Sequence, residues 1–195
     1  MTAPKPEICI MYDIESLDTG PRSIVSQIAY QAFPTDDPET VLGKAVVYLP
    51  IQPQIELKRT VSADTLVWWM QQSEEARQRF AMSTGDEFET LPALLRFVTR
   101  KFIEIVGDKS YEIWARGPQF DIVNIESLMA DVAVKVPWRY DRVRDLRTLM
   151  AMAGLSTSAG DVPRPADMPL HMADHDCRYQ ILCYAEAIRH LTARS

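Results

Sequence analysis

Nothing in these 195 residues approaches the run of about 20 apolar residues that a bilayer crossing needs. The opening stretch Met1-Thr2-Ala3-Pro4-Lys5-Pro6 has no apolar signal core, so no leader is expected and the reading is a cytoplasmic protein with no membrane partner. Glycine is scarce, and no repeat or biased tract suggests a fibre or a disordered chain. The cysteines are Cys9, Cys177 and Cys183, all in apolar surroundings and without metal-type spacing, which points to buried thiols in a reducing compartment. Basic charge is also in short supply. A net charge of −6 argues against a protein that coats long duplex DNA through a broad basic face, yet not against an enzyme that grips a few nucleotides. Bound divalent cations would offset acidic side chains locally.

What is present is the mix of an ordinary globular protein, 47% apolar and 25% charged, at a length suited to one domain spanning residues 1–195. Glu7 to Tyr12 reads as a central strand, ending at Asp13-Ile14-Glu15. Ser23–Phe33 and Lys44–Leu49 read as two more strands, and the three form an opening antiparallel meander. Helices are expected over Asp64–Gln72, after Ser73 as a cap, over Thr90–Val106, over Asp121–Val134 and over Asp176–Leu191, with a strand at Tyr111–Ala115. Ser156–Leu170 is rich in Ser, Pro, Ala and Asp, and a loop of that length within a domain is often functional. The pattern fits an α/β fold, a central mixed sheet flanked by helices, with the acidic residues at one edge.

Three acidic clusters carry the chemistry. Asp13 and Glu15 are two apart on a strand, so their side chains share one face and repel unless a cation lies between them. A solvated strand end would also explain them. Asp121 stands where a helix begins, the place of an ordinary N-cap or of a metal ligand. In His171-Met172-Ala173-Asp174-His175-Asp176, an acid could cap the last helix, or the cluster could hold metal. His190 is read as a partner of the helix dipole only. Hard carboxylate oxygens suit Mg²⁺ or Mn²⁺. Two such ions about 4 Å apart can activate water and stabilise a departing 3′ oxygen, and a histidine can take the proton near neutral pH.

The order of these clusters, and the stretches Tyr12–Leu17, Asp64–Trp69, Ser73–Arg77, Trp114–Asp121, Arg144–Leu149 and His171–Gln180, resemble the DEDDh-type 3′→5′ exonucleases of the ribonuclease H-like fold. That group includes proofreading exonucleases. The likeness points to its exonuclease VIII-like and phage exonuclease A branch, which also contains a bacterial exoribonuclease. Ser16-Leu17-Asp18 departs from the commoner Thr-Leu-Gly, and Ser26-Gln27-Ile28-Ala29 from the usual Ser-Ile-Gly.

The resemblance implies that Asp13, Glu15 and Asp176 hold a first metal, that Asp13 bridges to a second supported by Asp121, and that His171 is the general base. Ile14, Ser16, Leu17, Trp68 and Phe120 are the expected contacts to the terminal nucleotide, with Leu17 as a wedge against its base. Trp68 and Trp69 point about 100° apart on a helix, so at most one faces the site. Arg144 and Arg147 are read as partners of Asp141 and Asp145 rather than of phosphate. The expected partner is a nucleic-acid 3′ end, DNA ahead of RNA, cut to nucleoside 5′-monophosphates; a homodimer is left open. The alternatives are an exoribonuclease of the same branch, a catalytically silent nucleic-acid-binding module, and a metal-dependent phosphatase of small substrates.

Overall fold

A computed structural model describes residues 5–82, 90–157 and 160–194. The expected loop 156–170 is therefore described apart from Ser158 and Ala159, and the first four residues of the opening stretch lie outside the described residues. The elements in chain order are β1 (Ile8–Ser16), β2 (Val25–Pro34), β3 (Gly43–Tyr48), α1 (Ile51–Glu56), α2 (Ala63–Met70), α3 (Glu74–Ala81), α4 (Leu91–Val106), β4 (Tyr111–Ala115), α5 (Asp121–Asp131), β5 (Val143–Asp145), α6 (Leu146–Met152) and α7 (Ala173–Thr192). Among the described residues, no helix is long and apolar enough to cross a membrane.

The strands form one mixed sheet in the order β3-β2-β1-β4-β5. β1 pairs antiparallel with β2 and parallel with β4, so it is the middle strand. The acids of β1 thus stand at the end of the central strand, where the sequence reading placed them, at one border of the sheet. β1 also runs on through Asp13, Ile14 and Glu15 to Ser16, four residues past Tyr12. Pairing with β2 continues to that point, so the backbone of the two acids is held in the ladder, with an irregularity between Glu15 and Ser16.

Period two along β1 sorts its side chains onto two cores. Ile8, Ile10, Tyr12 and Ile14 face α4 and α5, against Leu95, Val98, Phe102, Ile122 and Leu128. Cys9 and Met11 face α6 and α7, against Leu146, Met150, Cys177, Ile181 and Tyr184. The three cysteines are free and buried. α4 earns its place by spacing: Leu91, Leu95, Val98, Phe102 and Val106 are its buried residues, and Pro92 occupies the first turn where its missing N–H costs nothing.

Polar contacts lock α5 beside the end of β1. Arg59 is buried, and its guanidinium donates to Asp131 Oδ2 at 2.7 Å, Ser127 Oγ at 3.0 Å and Asn124 Oδ1 at 3.3 Å, while its Nε donates to Ser23 O at 2.9 Å. The Asn124 side chain also accepts from Ser23 N at 3.0 Å and donates to Gly20 O at 3.0 Å. The β1–β2 connection and α5 are therefore one hydrogen-bonded unit, and α5 carries Asp121.

Candidate active site

Asp13 and Glu15 leave β1 on the α7 side of the sheet. Asp13 Oδ1 accepts from Gln180 Nε2 of α7 at 2.6 Å. Glu15 is buried opposite Gln27 of β2. Asp121 is the first residue of α5 rather than its cap, which is Phe120. Its Oδ1 accepts from Ile14 N at 3.3 Å, so the carboxylate that was open to a capping reading turns instead to the backbone between the two β1 acids. Gly117, at φ +112°, shapes the turn before α5, and a Cβ there would lie 2.6 Å from Arg147 Nη1.

Asp176 lies in the first turn of α7, which begins three residues earlier than expected. Its carboxylate reaches back to the entering chain: Oδ2 accepts from His171 N at 2.9 Å and Met172 N at 3.2 Å, and Oδ1 accepts from Arg164 Nη1 at 2.7 Å. His171 is held at φ 63°, a backbone region that a non-glycine residue rarely takes and that clusters at functional sites. Its ring meets Trp68 nearly edge-on at 4.6 Å. Among the described residues, ligand atoms of Glu15, His171 and Asp176 lie within 4.8 Å of one another. Asp13 and Asp121 stand outside that trio but feel its charge.

The electrostatics follow from burying so many acids together. Burial pushes Asp13 and Glu15 well above the usual carboxylate range, and the neighbouring acids push further. Asp121 is raised to about 7, chiefly by burial, with the Ile14 N–H and the Arg147 charge opposing. His171 is lowered, mainly by burial and also by Arg164, against the pull of Asp176. A neutral imidazole near physiological pH can accept a proton. This donor set suits a hard divalent cation: carboxylate oxygens dominate, among the described residues no lysine pairs with them, and the repulsion among them is what a cation would relieve.

A cleft of 450 Å³ opens beside Glu15, lined by Ile14, Ser16, Asp18, Asp64, Trp68 and Phe120 among others. Trp68 is 39% exposed, whereas Trp69 is buried and donates from Nε1 to Ser16 O at 2.8 Å. Yet both rings line the cleft and lie against His171, at 4.6 and 6.4 Å, so the expectation that at most one meets the site does not hold. Leu17 departs from expectation. It is 5% exposed and packs with Ile24, Trp69 and Ala76, so its side chain cannot wedge against a base without opening that cluster. Arg144 reaches Asp141 only through its carbonyl, donating from Nη1 at 2.8 Å. It forms its ion pair with Glu112 at 2.9 Å, since β5 lies parallel to β4 with Arg144 beside Trp114, two residues along from Glu112. Asp145 caps α6 instead, accepting from Arg147 N at 3.1 Å. His175 stands 3.8 Å from Asp174, and His190 pairs with Glu186 at 3.0 Å. Arg164, Gln180 and Gln27 had not been singled out from the sequence, since each meets the acids only through tertiary packing.

The family model described as the 3′-5′ exoribonuclease Rv2179c-like domain matches residues 9–188. A curated exodeoxyribonuclease of Enterobacteria phage T4 is 24% identical over 200 residues, which cover 91% of this chain and 88% of that protein. Among solved structures, a product-bound exonuclease I matches with a TM-score of 0.61 at 16% identity, covering 97% of this chain and 45% of that one. Cell-death related nuclease 4 matches at 0.63 and 14%, covering 95% and 64%. An E. coli exonuclease I in complex with a 5cy-dA13 oligonucleotide matches at 0.59 and 14%, covering 93% and 40%. The chain thus spans less than half the length of these exonuclease I chains, and the likeness to all three structures is one of fold.

Proposed function

Because the chain belongs to the family of 3′-5′ exoribonuclease Rv2179c-like domains, we propose that residues 1–195 form a single 3′→5′ exonuclease domain, a phosphodiester hydrolase acting on single-stranded nucleic acid. The observation that carries this reading is the meeting of Asp13, Glu15, Asp121, Asp176 and His171 at the end of β1, beside a cleft large enough for a terminal nucleotide. Asp13, Glu15, Asp121 and Asp176 would hold two Mg²⁺ or Mn²⁺ ions, which when bound supply charge neutralisation for the phosphodiester and an activated water.

The chain's own residues do the rest. His171 takes the proton of the attacking water at a ring nitrogen, and Trp68 keeps that ring in place. Trp68 and Phe120, with the backbone from Ile14 to Ser16, form the walls against which the terminal nucleotide rests. The products are nucleoside 5′-monophosphates. DNA is the first reading of the polymer, drawn from the phage relative, which spans 91% of the chain. RNA is the second, favoured by the family's own description.

One experiment tests both. Purified protein with Mg²⁺ is given 5′-labelled single-stranded DNA and RNA of one sequence, and the products are resolved by length. A ladder shortening from the 3′ end is expected, faster on DNA. Preference for the RNA strand reverses the order of the two readings. No shortening of either, with metal present, refutes the exonuclease.

A further inference from the structure

Arg164 belongs to the loop that joins α6 to α7, twelve residues before Asp176. It is an arginine on a surface loop, yet only 16% of its side chain is exposed, and its partner carboxylate is 17% exposed. Three of its donors are spent. Nη1 donates to Asp176 Oδ1 at 2.7 Å, Nε to Met168 O at 2.5 Å and Nη2 to Pro169 O at 3.1 Å. The guanidinium carbon lies 4.7 Å from the centre of the Tyr179 ring. Tyr179, on α7, in turn donates from its hydroxyl to Val162 O of the same loop at 2.8 Å. The loop is thus folded back on α7 by one planar cation, and that cation also grips an acid of the site.

The count of acceptor positions on Asp176 gives this contact its meaning. An ionised carboxylate offers about four lone-pair positions, two on each oxygen. Both on Oδ2 are taken by the N–H groups of His171 and Met172. One on Oδ1 is taken by Arg164. A single position is left, on Oδ1, and Arg164 sets where it points. An arginine suits this task because its planar fork fixes direction as well as charge, which a lysine does not.

We propose that Arg164 is the positioning residue for Asp176, so that the order of the 160–170 loop and the affinity of the site for a divalent ion are one coupled equilibrium. This rests on the reading of Asp176 as a metal ligand. Outer partners that orient a ligating side chain commonly govern metal affinity by about 10- to 100-fold. Coupling of this kind is reciprocal: an ion that binds better when Asp176 is oriented must also hold the loop closed.

The test uses the full chain without nucleic acid and Mn²⁺ as the probe. Mn²⁺ affinity is measured by titration calorimetry, and amide exchange of residues 160–170 is followed with and without the ion, for the parent, Arg164→Gln and Arg164→Lys. In the parent, Mn²⁺ should slow exchange across the loop. Arg164→Gln should bind Mn²⁺ about 10- to 100-fold more weakly, with a loop that exchanges fast whether or not the ion is present. Arg164→Lys keeps the charge but loses the fork, so it should retain part of the affinity and little of the loop protection. It carries the test alone if the glutamine variant does not fold. Unchanged or tighter Mn²⁺ binding in both variants overturns the proposal, as does a loop in the parent that ignores the ion. Absence of any Mn²⁺ binding to the parent refutes instead the metal-site reading on which the proposal stands.

Discussion

Stripping the protein of divalent ions and raising the pH should weaken its fold, and Asp121 shows by how much. Its carboxyl titrates near 3.8 when the chain is unfolded and is pushed to about 7 in the folded state. A group whose folded pKa is raised favours folding only while it is protonated. The contribution is whole below about pH 4 and drains away as the pH climbs to 7. Roughly three pH units correspond to about 4 kcal/mol at 1.36 kcal/mol each. Domains of this size have about 5–15 kcal/mol in all, so the loss is large.

Asp13 and Glu15 are raised by the same burial and act in the same direction. His171 opposes them, since its pKa is lowered, but it is only partly buried and has one unit of charge to offer. Acids whose pKa is lowered, such as Asp37, Asp141 and Glu186, titrate below this window. Urea unfolding between pH 4.5 and 7.5 in chelator should therefore show stability falling by several kcal/mol. Saturating Mn²⁺ should flatten the fall, because bound cation replaces bound protons. Asp121→Asn should shrink the slope by more than one group's share, since Asp13 and Glu15 both feel the Asp121 charge. A metal-free protein that holds or gains stability over this range, or an Asn variant with the parent slope, would refute the reasoning.

Other outcomes follow from single contacts. His171→Ala should cost on the order of 100-fold or more in turnover while Mn²⁺ binding persists, and His175→Ala much less; a dead His175 variant beside an active His171 one would reassign the base. Trp68→Leu should raise KM for a single strand by losing about 1–3 kcal/mol of stacking, and should also lower kcat because His171 leans on that ring; an unchanged KM removes Trp68 from the cleft wall. Asp131→Ala leaves the Arg59 guanidinium buried without its carboxylate and should destabilise by about 3–5 kcal/mol in urea unfolding; a loss under 1 kcal/mol means water reaches Arg59.

Much of the site was readable because its spacing is local. Asp13 and Glu15 share a face by strand period, and the five-residue step from His171 to Asp176 fits a carboxylate that returns to the N–H of the residue entering its helix. Trp69 could be told from Trp68 only as one of two, since a helix turn separates directions without saying which faces inward. What escaped was tertiary. Gln180 meets Asp13 across 167 residues, and Arg59 meets Asp131 across 72, so no window of sequence joins them. The short elements α1, α6 and β5 also escaped, because six, seven and three residues carry too little period to stand out. Leu17 was expected as a wedge only from the resemblance, and the packing of Ile24, Trp69 and Ala76 against it is a tertiary feature that no stretch of sequence displays.

The two-faced sorting of β1 makes its length a matter of function. Because even positions feed one core and odd positions the other, deleting a single residue upstream of Asp13 would exchange the faces of everything before it. With Met11 deleted, Ile8 and Ile10 would turn to α7, or else both acids would turn into the apolar layer beneath α4 and α5. Neither arrangement keeps a fold and a site together. β1 is therefore a segment in which a change of spacing should remove the folded protein and its chemistry in a single step.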